Sequence, residues 1–328
     1  MTAVLSVPAE DLATANFPFA SETAAAVEDR VDDGLSAFLG ARPRLFGIAY
    51  RMLGCATEAE DIVQDVWVRW QTTDRRPVKN PTAFLVTATT RLAINVLQSA
   101  RVRRETYVGP WLPEPIDTSA DPGLGAERGE ALNLAVLLLL EKLTPTERAA
   151  YVLREAFNHP YREIAEILRI EEANARQLVT RAREHVSSGR RAPVSPVEQR
   201  RLLNAFIAAA RAGDLAGLES LFASDVVSTS DGGGLVRAAR LPVVGRARVA
   251  KFISAVTHFW TGVTVECVEA NRQLCALIRR NGTVGALVTV DGSAEGIQQI
   301  MWMMRPSKLA AASTGRQPLA RQAVPISE

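Results

Sequence analysis

Between Glu171 and Val186 the sequence reads EEANARQLVTRAREHV. As a helix with Ala175, Leu178, Val179 and Ala182 turned inward, it leaves Asn174, Arg176, Gln177, Thr180, Arg181 and Arg183 outward. Arg, Asn and Gln can each pair bidentately with a purine edge in a major groove, and the later arginines suit phosphates. A second group, Asp61, Gln64 and Asp65 in TEAEDIVQDVWVRW, shares one helix face, while Ile62, Val66 and Trp70 recur on another. Such an acidic face is either a solvated surface or a docking site. A third group interleaves Thr87, Thr90, Arg91, Asn95, Gln98 and Ser99 with apolar residues and ends in Arg101, Arg103 and Arg104. A hydroxyl-rich and finally basic face can hold splayed bases of a single strand together with their phosphates.

Two further groups lie in the second half. In SDGGGLV, residues 230 to 236, Asp231 precedes Gly232, Gly233 and Gly234. Glycines so placed allow a phosphate cradle, a strained turn, or the close approach of another backbone. No lysine or helix N-terminus follows them, which removes the phosphate reading. His258, Asp231 and Glu266 can in principle exchange protons, but no paired motif of fixed spacing joins them, and a packed histidine is the commoner case.

These groups need elements to hold them. Residues 1 to 34 are Ala-rich and acidic without a sustained apolar period, which predicts a loose tail. Residues 35 to 106 read as one all-helical domain: RLFGIAYRMLG ends at Gly54, TEAEDIVQDVWVRW follows, and Pro81 opens a long third helix. Residues 107 to 123 form a linker in which four prolines and two glycines forbid regular helix. Residues 124 to 191 are helical again. There Thr144, Pro145 and Glu147 announce a supporting helix, Pro160 starts the next, and a turn around Arg169 and Ile170 leads to the recognition helix, the layout of a helix-turn-helix. A helical hairpin of a protein-binding module shares that layout. Ser195, Pro196 and Glu198 cap the entry to an α+β domain over 195 to 310, in which Asn281-Gly282 and Asp291-Gly292 are hairpin signals. Residues 311 to 328 read as a second loose tail. The fold class is thus multidomain, two all-α domains followed by an α+β domain.

The net charge of +2 conceals blocks of opposite sign. Residues 41 to 110 hold eleven basic and six acidic side chains, and 144 to 191 nine and seven, with an acidic linker of two and six between them. Two basic helical modules suit a polyanion, although solvated faces give the same counts. Cys55, Cys267 and Cys275 form no Cys-x-x-Cys pair, so three reduced thiols are expected rather than a disulfide or metal site. Leu134 to Leu140 is too short to span a bilayer and the amino terminus lacks a basic segment followed by an apolar one, from which a cytoplasmic protein without a membrane partner is expected. No cofactor is expected.

With its motifs in this order, the chain resembles the bacterial sigma-70 family of RNA polymerase sigma factors, of the extracytoplasmic-function class. EAEDIVQDVWVRW is similar to region 2.2, the polymerase-binding helix. NPTAFLVTATTRLAINVLQSARVRRE resembles regions 2.3 and 2.4, which open and read the minus-10 element. LTPTERAAYVLREAFNHPYREIAEILRIEEANARQLVTRARE resembles region 4, which reads the minus-35 element. The resemblance implies that Asp61, Gln64 and Asp65 meet the β′ clamp helices of core RNA polymerase. It implies that Thr90, Arg91 and Asn95 lie near minus-10 bases, and that Asn174, Arg176, Gln177, Thr180 and Arg181 lie near minus-35 bases. The β flap and promoter DNA become partners, and an anti-sigma factor is allowed but not required.

WLPEP, Trp111 to Pro115, is similar to the linker motif of the SigJ type, in which a SnoaL-like domain follows region 4, and SDGGGLV resembles the Asp-Gly-Gly-Gly-Lys motif of those domains. Trp111, Pro113, Asp231, Gly232, Gly233 and Gly234 would then serve regulation between the domains, the glycines as a docking lip for the linker or for region 2 itself. This chain departs from the pattern at four places: Glu171 at the recognition-helix cap, Pro160, Leu235 in place of Lys, and RPSKL at 305 to 309 in place of Asn-Pro-Asp-Lys-Leu. The expected function is a non-enzymatic sigma factor. Two alternatives are a helix-turn-helix activator that never enters the polymerase, and a SnoaL-type enzyme or ligand sensor on a DNA-binding module.

Overall fold

Three helices make the first domain: α1 (Ala24–Leu53), α2 (Ala56–Thr72) and α3 (Pro81–Glu105). A computed structural model describes residues 24–118, 132–189, 192 and 194–313. Leu45, Ile48, Ala49 and Met52 of α1, Ile62, Val63, Val66 and Trp70 of α2, and Leu85, Val86, Ala93 and Leu97 of α3 are buried in one core. Trp70 satisfies its indole by donating to the Gly34 carbonyl at 2.8 Å, the usual requirement for a buried indole. Gly54 ends α1 in a left-handed conformation, φ 65°, its N–H returning to the Tyr50 carbonyl at 2.7 Å. α1 corrects the expected loose tail over 24–34, which is helical: alanines 24–26 are strong helix formers on a helix anchored further along by its packed face. Residues 1–23 of that tail lie outside the described residues.

The second helical unit comprises α4 (Leu134–Leu140), α5 (Pro145–Tyr151), a single π turn at Val152–Ala156, α6 (Tyr161–Leu168) and α7 (Glu172–Ser188). Thr144 and Glu147 form the reciprocal capping box read from the sequence, worth about 1 kcal/mol. Arg169 turns left-handed, φ 56°, and closes α6. Ile164, Ala165 and Ile167 of α6 pack with Ala175, Val179, Ala182 and Val186 of α7.

The third unit begins with α8 (Pro196–Ala212), capped by Ser195, and α9 (Leu215–Leu221), capped by Asp214. It continues through β1 (Phe222–Asp231), β2 (Val243–Val244), α10 (Arg246–Ala255) and a 3-10 turn, Thr257–Trp260. β3 (Val263–Ala270), β4 (Gln273–Arg280), β5 (Thr283–Ser293), β6 (Gly296–Met303) and α11 (Pro306–Ser313) complete it. The six-stranded sheet runs β2-β1-β6-β5-β4-β3, with β1 and β6 parallel and the other neighbours antiparallel. One face, carrying Ala276, Ile278, Ala286, Val288, Ile300 and Trp302, closes over α8 to α10. Phe206, Phe222, Phe259, Trp260 and Trp302 fill that interior, with ring centroids 5.4 to 6.3 Å apart. The opposite face, Cys275, Leu277, Leu287, Met301 and Met303, belongs to the same core as the sigma-like helices. Alternation thus gives one sheet two buried faces, which is why β4, β5 and β6 read as near-continuous apolar runs.

Two turns separate expectation from outcome. Asn281 (φ 52°) and Gly282 (φ 80°) make the β4–β5 hairpin as read from the sequence. Asp291-Gly292 does not turn the chain. It lies within β5 at a register shift, and Ala294 and Glu295 form the loop between the paired Ser293 and Gly296. A Cβ on Gly292 would come within 2.5 Å of Leu202 Cδ1, so that glycine serves the close approach of α8. α11 also extends to Ser313, three residues into the expected carboxy-terminal tail. Among the described residues no helix is long and apolar enough to cross a membrane.

Candidate functional site

α7 presents Asn174, Arg176, Gln177, Thr180 and Arg181 on its exposed side. Arg176 is held by an ion pair to Glu172 and lies 4.7 Å from the Tyr161 ring centroid. Glu171 occupies the cap position with extended backbone but its side chain makes no capping bond, consistent with the poorer fit of the longer acid. On α2, Asp61, Gln64 and Asp65 are exposed together, opposite the buried Ile62, Val63 and Val66.

The α3 group is divided. Asn95 is exposed, but Thr90 is buried and donates its hydroxyl to the Val86 carbonyl at 2.8 Å. Arg91 reaches across to α6, its Nε 2.9 Å from the Ile167 carbonyl and its Nη2 3.2 Å from the Glu166 carbonyl. The last carbonyls of a helix lack intrahelical donors and carry partial negative charge, which is what a guanidinium satisfies. The resemblance implies that Thr90, Arg91 and Asn95 lie near minus-10 bases; in this conformation Asn95 is exposed, Arg91 is engaged by α6 and Thr90 is buried.

The linker is clasped on both sides. Asp231, fully buried, accepts from Tyr107 Oη at 2.5 Å, from the Leu112 N–H at 2.9 Å and from Lys308 Nζ at 2.6 Å. Burial, then the bond to Asp231, pushes the Tyr107 phenol up to about 12, so it stays the donor. Lys308 also donates to the Leu112 carbonyl and stands 4.3 Å from the Trp111 ring centroid. Trp111 in turn covers Gly54, where a Cβ would meet Trp111 Cη2 at 2.7 Å and Pro113 Cβ at 3.5 Å. Glu114 closes the other side: its N–H donates to the Gly54 carbonyl at 2.7 Å and its Oε2 accepts the Ala56 N–H at 2.8 Å, capping α2 from the linker. Beyond Asp231, Gly233 (φ 58°) and Gly234 (φ 73°) face Tyr107 Oη and Val108, where Cβ atoms would come within 2.8 and 3.0 Å. Gly233 and Gly234 therefore leave room for the Tyr107 and Val108 side chains of the linker, whereas a Cβ on Gly232 would meet the Val236 carbonyl of its own loop at 2.6 Å.

Asn271 was missed by the sequence reading. Its side chain accepts from the Ile116 N–H at 2.9 Å and donates to Tyr50 Oη at 2.7 Å and to the Leu132 carbonyl at 2.9 Å, joining linker, α1 and the second helical unit. Tyr50 Oη in turn donates a hydrogen bond to the Glu114 carbonyl at 2.7 Å, and burial raises its pKa. The available signal was Ala-Asn-Arg-Gln between two strands, a two-residue hairpin with both central residues left-handed, φ 53° and 59°. Lys308 also supplies the cation beside Asp231 although Leu235, at the position where the family pattern has Lys, is exposed.

His258, Asp231 and Glu266 are not brought together. Asp231 is sealed under the linker, His258 is exposed on the 3-10 turn, and Glu266 is exposed on β3, 3.5 Å from Arg279.

A family model described as Sigma-70 region 2 matches residues 38–103, and one described as Sigma-70, region 4 matches residues 133–186. The chain is 39% identical over 228 residues to the ECF RNA polymerase sigma factor SigJ of Mycobacterium tuberculosis, covering 67% of this chain and 72% of that protein. It is 30% identical over 274 residues to a probable ECF RNA polymerase sigma factor of the same organism, SigI, covering 82% and 92%. The crystal structure of the M. tuberculosis factor SigJ superposes with a TM-score of 0.68 at 30% identity, over 84% of this chain and 98% of that one. Two sigma-70 helical units in order, followed by the α+β domain that the SigJ fold also spans, carry the conclusion that the chain belongs to the extracytoplasmic-function sigma factors of RNA polymerase.

Proposed function

We propose that the chain binds core RNA polymerase through Asp61, Gln64 and Asp65 of α2 and directs promoter-specific initiation. In that complex α7 reads the minus-35 element with Asn174, Arg176, Gln177, Thr180 and Arg181, and α3 reads the minus-10 element with Thr90, Arg91 and Asn95. The observation that carries the reading is the row of five polar side chains exposed on α7 of a capped helix-turn-helix. The polymerase contacts are the β′ clamp helices and the β flap, and the chain acts in the cytoplasm.

The free chain is a closed form. Arg91 cannot hold the Glu166 and Ile167 carbonyls and a base at once, so minus-10 reading requires α6 to leave α3. The clasp of Asp231, Asn271 and Lys308 on residues 107–118 restrains that opening, which makes the third domain a regulator in cis. An anti-sigma protein is compatible with this scheme without being needed. The dispersal of His258, Asp231 and Glu266 favours a regulator over an enzyme, and no cofactor enters the scheme.

The test is run-off transcription from a cognate promoter with core enzyme and this chain as the sole sigma factor. Asp61→Arg with Asp65→Arg should lower core affinity by at least about tenfold, because like charge replaces complementary charge, with thermal unfolding unchanged at these exposed sites. Unaltered core affinity removes α2 as the docking face. Transcription that appears only when another sigma factor is present identifies an activator instead.

A further inference from the structure

We propose that the carboxy-terminal domain carries a DNA contact of its own, in which Arg237, Arg240, Arg248 and Lys251 grip duplex phosphates beside the end of α3. The inference goes beyond the roles of α3 and α7 and rests on the reading of the chain as a promoter-binding protein. Between Asp231 and Glu266 the sequence holds five arginines and lysines and no acid. Arg237, Arg240, Arg246, Arg248 and Lys251 are all exposed, and among the described residues none of them has a carboxylate partner. Of the two acids on the adjoining β1, Asp231 is buried against Lys308 and Asp225 is exposed, and α9, which also packs on α10, adds the exposed Asp214 and the half-buried Glu219, so the five cations outnumber three neighbouring acids. On α10 the buried residues Val249, Ala250 and Ile253 face the sheet, which turns Arg248 and Lys251 together to the outside.

Placement gives this surface its partner. The segment after β1 is seated on the residues that leave α3: Gly233 faces Tyr107, Gly234 faces Val108, and a Cβ on Gly109 would lie 3.9 Å from Arg240 Cα. The last five residues of α3, 101 to 105, hold Arg101, Arg103 and Arg104 and one acid, Glu105. Arg240 therefore lies beside Gly109, a few residues beyond the end of the helix that approaches promoter DNA, while β2 and α10, which carries Arg248 and Lys251, follow at the level of Val226 to Ser228 on β1. A run of unpaired arginines and lysines contiguous with a nucleic-acid surface matches the regular negative charge of a duplex backbone. It carries no base-reading geometry, so the contact is to phosphates and independent of sequence.

The test is fluorescence anisotropy of the full chain on a short duplex of arbitrary sequence, titrated at salt concentrations from about 50 to about 200 mM. The comparison is with a variant carrying Arg237→Ala, Arg240→Ala, Arg248→Ala and Lys251→Ala. The variant should bind at least about tenfold more weakly at the low-salt end. Its slope of log affinity against log salt should be shallower by about 0.9 for each phosphate no longer neutralised, up to roughly 3.5 for four. A second variant with the three arginines changed to lysine should keep the wild-type slope. Equal slopes and affinities for wild type and the alanine variant overturn the proposal, as does a wild-type chain that shows no duplex binding at low salt. Core polymerase affinity is measured alongside. If the alanine variant loses core binding and keeps its duplex slope, the surface faces protein and the proposal fails, while α7 and its promoter-reading role stand.

Discussion

Asp231 and Lys308 carry the clasp at the scale of single residues. The carboxylate is fully buried, and three donors satisfy it, one of them a cation. A buried pair adds little net stability over an apolar isostere, but removing one partner strands the other charge. Lys308→Met should therefore lower the unfolding free energy by about 3 to 5 kcal/mol, read as a lower urea midpoint, and adding Asp231→Asn should restore most of it. An unchanged midpoint for Lys308→Met would show that Asp231 does not depend on its cation. Asp231, Trp111 and Pro113 were legible because they sit in compact motifs whose neighbours restrict the chain. Asn271 was not, because its partners Ile116, Tyr50 and Leu132 lie 155, 221 and 139 residues away and no local pattern encodes them. The burial of Thr90 was hidden for the same reason, since the face of α3 it occupies is covered by tertiary contact rather than by local sequence.

Elements were legible where local chemistry fixes them. The helices at Thr144, Pro160 and Ser195 begin where their caps or prolines said they would. β5 and β6 were harder, because a strand buried on both faces loses the alternation that identifies it and Asp291-Gly292 imitates a turn. The junction of α1 with α6 holds a pH-sensitive contact. His159 lies with Nδ1 2.7 Å from Glu163 Oε2 and Nε2 3.0 Å from Arg44 Nη2. Arginine only donates, so Nε2 accepts and Nδ1–H donates to Glu163, which is the neutral ring. Burial, joined by the charge of Arg44, lowers its pKa against the opposing pull of Glu163. The folded chain thus binds this proton less readily than the unfolded one. The contribution is fully present above the unfolded value of about 6.5 and diminishes as pH falls below it. Between about pH 7 and about pH 5.5 the urea midpoint should fall further for the wild type than for His159→Gln. Equal falls would assign the acid sensitivity elsewhere.

At the scale of the whole molecule, the order of the domains was legible but not how they close on one another. Region 2, the linker, region 4 and one face of the SnoaL-like sheet share a single core, and α3 is covered by α6 through Arg91. The exposed α7 leaves the proposed minus-35 reader open, while Arg91 of the proposed minus-10 reader is held by α6. The most direct measurement of this asymmetry is the distance between labels at the exposed Asn95 of α3 and Gln177 of α7, followed by energy transfer in the full chain as core polymerase is added. A single short distance in the free chain, lengthening on core binding with the onset of run-off transcription, is the expected outcome. A distance that stays short in a transcribing holoenzyme would contradict the closed form as the state that must open.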